Sequence, residues 1–430
     1  MEIYVVQPGD TIYTIAQKYG VSTAKLIRDN EMPDPYMLVP GENIIILFPD
    51  KTYYVKEGDT LEEIAASNNI TVGELLRNNP FISDMEYIYP GEELAISYNR
   101  TGRVSTHGYT NTFIDRKTLR KTLPYLSYLT IFNYRTAQNG EVISNYDDTD
   151  IIRIAKEYGV LPFMLMTTLT VQGEVDLELT YDVLISEDIQ NRLFDNVLKI
   201  VREKGYSGVN ISAQFITAAN QELFNRYTQN LSERLKQEGY LSVITINPKL
   251  DMSNNDITFE TINYTEIGSE VDATLFLQYK WGFNFGPPSP VSSINATSIF
   301  LDYVLTQIPS EKIFVGIPTI GYDWELPYVP GFSRASALTL DSVIVLARNV
   351  GANIEFDEIS QTPYYYYEDP NDKTQHKVWF INAVTINTLI ELTLEKDITG
   401  TGIWNIMQYF TQLWMVINSQ YEILKYLPEF

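Results

Sequence analysis

Seven apolar runs punctuate the chain between residues 126 and 406, and they restrict its fold more than any other feature. They are "LSYLTIFNY" (126–134), "LPFMLMTTL" (161–169), "GVNISAQF" (208–215), "LSVITINP" (241–248), "ATLFLQY" (273–279), "KIFVGIP" (312–318) and "GTGIWNI" (400–406). Amphipathic patterns separate them, among them "DIIRIAKEYG" (150–159), "SEDIQNRLFDNVLKIVREKG" (186–205) and "ANQELFNRYTQNLSERLKQEG" (219–239). Near-continuous apolar strands alternating with amphipathic helices call for a parallel sheet covered by helices. With the weaker "EVIS" (141–144) as an eighth strand, the pattern closes as a (β/α)8 TIM barrel, an α/β fold. Between "VGIP" and "GTGIWNI" the chain is longer than one helix needs. There "ANIEFDE" (352–358), "TPYYYYED" (362–369) and "HKVWF" (376–380) read as antiparallel strands of an α+β subdomain inserted at about 320–385, one wall of a cleft at the barrel top.

A second organising feature precedes the barrel. "YVVQPGDTIYTIAQKYGVSTAKLIRDN" (4–30) is repeated as "YYVKEGDTLEEIAASNNITVGELLRNN" (53–79), and each copy ends in a Pro-Gly-Glu turn and an apolar strand, "VPGENIIIL" (39–47) and "YPGEELAIS" (89–97). Each reads as a β-α-α-β unit. Gly9-Asp10 and Gly58-Asp59 turn the chain, Thr11 and Thr60 start helices, and Ile15/Ala16 and Ile64/Ala65 face inward. The expected organisation is therefore one module at 1–49, a second at 50–98, a polar linker "SYNRTGR" (97–103) and a barrel over 104–430.

Composition narrows the function. A net charge of −24 over 430 residues argues against nucleic acid and against docking on anionic membrane, both of which need clustered basic surface. The absence of cysteine excludes disulfides, thiolate metal sites and cysteine nucleophiles. Two distant histidines, His107 and His376, do not suggest a metal centre, and no dinucleotide or P-loop pattern occurs, so no metal and no cofactor are expected. No run approaches the ~20 apolar residues of a membrane span. "MEIYVVQPGD" lacks the basic and apolar regions of a signal peptide.

The repeated units closely resemble LysM modules, which bind N-acetylglucosamine-containing glycans such as peptidoglycan and chitin. That resemblance implies a groove lined by Gly9, Asp10, Thr11 and Ile12 in the first copy and by Gly58, Asp59, Thr60 and Leu61 in the second. Two weak modules on one chain gain avidity on a repetitive polymer. Residues ~104–430 resemble a family 18 glycoside hydrolase of the kind found on spore cortex-lytic enzymes. The matching stretches are "GFNFGPPSPVSSI" (282–294), "VGIPTIGYDWELPY" (315–328), "FDEISQTPYYYY" (356–367), "HKVWF" (376–380) and "GIWNIMQ" (402–408). The same resemblance implies synthesis in the mother cell and deposition in the spore envelope or cell wall.

That family's catalytic strand reads D-x-x-D-x-D-x-E, with Asn tolerated at the second aspartate. Its glutamate is the general acid, and the preceding aspartate orients the substrate's acetamido group. This chain presents Ser207, Asn210, Ser212 and Gln214 at those positions, and the family's Y-[DE] pair becomes Tyr279-Lys280. Glycoside cleavage needs a carboxylic acid to protonate the leaving oxygen, and Gln214 cannot supply one. The mouth is instead rich in amides and aromatics, with Gln278, Tyr279, Trp281 and Trp404 as sugar-binding candidates. The expectation is a barrel that binds glycan without cleaving it, a pseudoenzyme. Two alternatives stay open: an active N-acetylglucosaminidase using a carboxylate outside the motif, with Glu174, Asp176 and Glu178 as candidates, and a structural coat or appendage protein that self-assembles or binds envelope proteins. The cluster "NYDDTD" (145–150) reads as helix capping.

Overall fold

The computed structural model describes residues 1–82, 87–144, 146–169, 176–213, 216–251, 257–277 and 286–429. Eight parallel strands close into a barrel: β1 (Gly102–Asn111), β2 (Tyr128–Phe132), β3 (Leu161–Met166), β4 (Gly208–Ala213), β5 (Leu241–Ile246), β6 (Ala273–Phe276), β7 (Ile313–Pro318) and β8 (Gly400–Trp404). Each pairs with its successor, and β8 returns to β1 with Gly400 opposite Ser105. Seven of these are the apolar runs of the sequence. The eighth is not "EVIS": Val142–Ser144 forms a small antiparallel hairpin with Tyr134–Thr136 outside the barrel. The closing strand is β1, which begins inside the stretch expected to be a linker. It escaped notice because Ser105, Thr106, His107 and Thr110 break any apolar run along it.

Among the described residues the buried apolar side chains form three clusters, one of them the first module's own core of Val6, Ile12, Ile15, Ala16, Leu26, Ile44 and Ile46. Most lie between the strands and the surrounding helices, where Ile131, Met164, Val209, Ile244 and Ile317 meet Ile151, Leu193, Phe224 and Leu389, all under 5 % exposed. A smaller, separate cluster of Tyr109, Leu275, Leu277 and Phe314 fills the barrel itself, with Tyr128 and Trp404 packed against it. Gly402 on β8 is required by that filling, because a Cβ there would sit 2.4 Å from a Leu275 methyl.

After β7 the chain leaves the barrel to build a five-stranded antiparallel sheet in the order 336–338, 321–326, 375–379, 362–368, 355–357. The helix Leu340–Val350 covers one face of it, with the Tyr365 hydroxyl bonded to the Val343 carbonyl. The tyrosine run is a strand with two aromatic faces, as its alternation implies.

Each N-terminal unit is a β-α-α-β module. Glu2–Val5 pairs antiparallel with Asn43–Ile46, and Lys51–Tyr54 with Glu93–Ser97. Thr11 and Thr60 cap their helices through bonds of 3.1 and 3.2 Å from the Thr14 and Glu63 amides. Asn30 and Asn79 tie the second helix of each module to its last strand by a two-way amide bond, to Ile45 at 2.8 Å and to Ala95 at 2.7 Å. Both modules dock on the barrel. In the first, Ile354 donates to the Pro40 carbonyl and Arg348 to Met37 and Asp34. In the second, Arg77 meets Glu429 at 3.0 Å, and Arg100 joins Glu74, Asn78 and Asn418.

Candidate functional site at the barrel mouth

Period-two alternation along β4 aims Asn210 into the barrel, where it is fully buried. Its amide nitrogen donates to the Tyr109 hydroxyl and to Thr130 Oγ1, each at 3.0 Å, and its carbonyl accepts from Thr245 Oγ1 at 2.8 Å. Tyr109 and Thr245 share a further bond of 2.6 Å, which closes a ring of three side chains from β1, β4 and β5. Below it, His107 Nε2 lies 2.6 Å from Thr130 Oγ1, stacked on Tyr109. Burial pulls the His107 pKa down to about 3, so the imidazole is neutral. Burial also pushes the Tyr109 hydroxyl well above its ordinary range. These groups bind one another and hold the floor of the mouth rigid. Tyr109, Thr130 and Thr245 were not singled out from the sequence, and His107 was weighed there only as a metal ligand; the signal for the first strand was the run of polar residues in "STHGYT" (105–110).

Trp404 ends β8, partly exposed, its ring 5.1 Å from that of Tyr109 and followed by a cis peptide bond to Asn405. It is the described member of the expected sugar-stacking set; Gln278, Tyr279, Lys280 and Trp281 lie outside the described residues. The catalytic-motif positions separate. Ser207 stands at the opposite end of β4, where its amide bonds to the Pro162 carbonyl. Ser212 is near the upper end of β4, partly exposed beside Thr167 and Thr168. Gln214 and Glu174 lie outside the described residues. Asp176 caps the helix Leu177–Ile185 by accepting from Leu179 at 2.9 Å, and Glu178 sits in that helix's first turn.

The acidic cluster before the helix Thr149–Glu157 does more than cap. Asp147 accepts from the Thr149 amide at 3.2 Å, as expected. Asp148 makes no cap bond; it is fully buried, receiving Asn133 at 2.9 Å and the Tyr206 hydroxyl at 2.6 Å, with Lys204 at 3.2 Å. Short-range spacing could not reveal this, because Tyr206 and Lys204 arrive from the far side of another β-α unit.

In the modules, Asp10 and Asp59 close their own turns. Asp10 accepts from the Gln7 amide and the Tyr4 hydroxyl at 2.7 Å, and Asp59 from Lys56 and Tyr53 at 2.7 and 2.8 Å. The Lys56 amide, with Tyr53, holds Asp59 below the usual carboxylate range. Gly9 and Gly58 take positive φ beside them, while Ile12 is buried and Leu61 partly so. Tyr13 and Tyr36 stack at 6.0 Å, both more than half exposed, next to the turn of the first module.

Among the described residues no group of acidic or histidine side chains is arranged to hold a metal ion, and no helix is long and apolar enough to cross a membrane. A cavity of about 290 Å³ lies away from the mouth, between the first module and the barrel, lined by Glu31, Glu42, Asn43, Asp341, Arg348 and Tyr409. Burial raises the pKa of both Glu42 and Asp341 there.

A closed eight-stranded barrel with an inserted α+β sheet and an aromatic floor at its C-terminal mouth is an architecture on which glycoside hydrolases are built. Residues 106–408 match glycosyl hydrolases family 18, and residues 4–46 and 53–97 match the LysM domain. The chain belongs to glycosyl hydrolases family 18 and carries two LysM domains at its N-terminus. It is 31 % identical over 432 residues to the cortical fragment-lytic enzyme of Bacillus anthracis, covering 99 % of both chains. Against the enzyme of the same description from Bacillus subtilis it is 31 % identical over 437 residues, again 99 % of each. The crystal structure of the Bacillus cereus spore cortex-lytic enzyme SleL superposes with a TM-score of 0.80 at 28 % identity, over 99 % of each chain. These relatives overturn the expectation of a pseudoenzyme: full-length similarity to lytic enzymes points to catalysis.

Proposed function

We propose that this protein hydrolyses N-acetylglucosamine-containing peptidoglycan of the spore envelope, its two LysM domains holding the polymer while the barrel mouth addresses one glycosidic bond. The observation that carries this reading is the intact mouth floor, Trp404 seated over Tyr109, in a chain similar from end to end to cortical fragment-lytic enzymes. A flat aromatic ring presents the right surface for the apolar face of a pyranose, and a rigid base keeps it in place.

Cleavage needs a proton donor for the leaving oxygen. Gln214 and Ser212 carry none, so the acid comes from outside the motif. The segment following β3, at the C-terminal end of the barrel strands, carries the candidate carboxylates Glu174, Asp176 and Glu178. With Asp176 committed to a helix cap, Glu174 is the residue we assign as general acid. The test is incubation with insoluble spore peptidoglycan followed by mass spectrometry of released muropeptides. Wild-type protein is expected to release them, and Glu174→Gln to slow release by roughly 10²–10⁴-fold, the usual effect of removing a general acid. No release by the wild type overturns the hydrolase reading. Release undiminished in the variant overturns only the assignment of Glu174.

A further inference from the structure

We infer that the inserted sheet carries a subsite for the carboxylate of an acidic amino sugar, centred on Lys377. The inference rests on the reading of the substrate as peptidoglycan, and deepens it. Strand alternation places Tyr322, Trp324, Tyr364, Tyr366, Lys377 and Trp379 on one face, with Lys377 opposite both Trp324 and Tyr366 in register. The Lys377 ammonium lies 4.6 Å from the ring centre of Tyr364, 4.8 Å from Tyr366 and 4.6 Å from Trp379. Three ring faces fix its position without neutralising it.

No carboxylate within ion-pairing distance of Lys377 is found among the described residues, although the chain has 55 acidic residues against 31 basic. Its neighbours differ: Lys373 pairs with Glu368 at 3.2 Å and Lys396 with Asp302 at 2.5 Å. The adjacent Trp379 has a second uncommitted donor, its buried indole nitrogen, which finds no acceptor. Trp324, on the same face, donates to the Gly286 carbonyl at 3.0 Å, so this face packs on the segment that precedes the helix Ile294–Val304. At the other edge Tyr366 is 50 % exposed, which leaves Lys377 approachable from solvent.

A cation set among aromatic rings suits a sugar ring bearing an anionic substituent, stacked through its C–H face and held at its carboxylate. Peptidoglycan has such a substituent on alternate sugars, as a lactyl carboxylate or the carboxylates of the attached peptide; chitin has none. In an acidic protein this patch would select the first polymer over the second.

The test is titration calorimetry of the full-length protein with four short saccharides: a disaccharide with a free lactyl carboxyl, the same disaccharide with that carboxyl reduced, its peptide-bearing form, and uncharged chitotetraose. Lys377→Met is expected to weaken the free-carboxyl disaccharide about 10-fold and to flatten its salt dependence, leaving chitotetraose unchanged. Lys377→Arg is expected to retain binding. A loss with the peptide-bearing form alone assigns the site to the peptide carboxylate. Equal weakening of charged and uncharged saccharides, or no weakening of any, overturns the inference. Because affinity is compared between wild type and Lys377 variants rather than product release, the outcome stands apart from that of the hydrolysis assay.

Discussion

His107 shows how a single buried side chain ties the barrel floor to pH. Its imidazole is sealed among Tyr109, Tyr128, Phe163 and Phe314, and burial depresses its pKa from the ordinary 6.5 to about 3. The unfolded chain takes up a proton below pH 6.5, whereas the folded chain refuses it until about pH 3. Stability from this group is therefore complete above 6.5 and is lost as pH falls through that window, at about 1.4 kcal/mol per pH unit. Urea unfolding at pH 7 and pH 4 is expected to show wild-type protein losing a few kcal/mol more than His107→Gln on acidification. Equal losses would place the acid sensitivity elsewhere, in carboxylates common to both proteins. At this scale the sequence was a partial guide. Asn210, Ser212 and Gln214 were legible as motif positions, but the partners of Asn210 come from β1, β2 and β5, which no local spacing announces.

The two LysM modules are alike as elements and differ in what they touch. Gly41 and Gly91 occupy the same turn with φ of +87° and +92°. A Cβ on Gly41 would lie 2.1 Å from the Ile354 carbonyl oxygen, while one on Gly91 would meet nothing within 4 Å. Alanine at either costs roughly 1–2 kcal/mol for the left-handed backbone. Only Gly41→Ala must also lift the first module from the inserted sheet. Hydrogen exchange over residues 345–356 is expected to rise in Gly41→Ala and to stay unchanged in Gly91→Ala. A rise in neither would mean that the module does not rest on that surface. The repeat itself was plain from sequence, because both copies satisfy the same local rules of turn, cap and apolar face. The asymmetry of the two glycines was not, since it is set by a neighbour more than 300 positions away.

At the scale of the whole molecule, the C-terminal tail is a clasp. Glu429 reaches the second module at Arg77 and Thr71, and Lys425 donates to the carbonyls of Leu123, Leu126 and Tyr158 at 2.7 to 3.0 Å. Arg77 and Glu429 are 5 % and 8 % exposed, so the pair is shielded from water and salt. Removing Glu429 takes away the closest partner of buried Arg77 and leaves it Glu74 at 3.9 Å, at a cost of up to about 3 kcal/mol. Glu429→Ala is expected to split a single calorimetric transition in two, with the second module melting first. One unchanged transition would show that Arg100 and its bonds to Glu74, Asn78 and Asn418 suffice to hold the module.

Sequence alone determined the class of fold, the paired modules and the inserted subdomain, because each is written in periodicities and turns that depend on residues close in the chain. Tertiary structure decided the rest. It named β1 as the closing strand despite its polar residues, since His107 and Tyr109 find hydrogen-bond partners on other strands inside the barrel. It gathered Lys377 and three rings from two strands, and it joined Glu429 to Arg77 across 352 positions. Sites and clasps of this kind are contacts between distant segments, and only the closed chain brings such segments together.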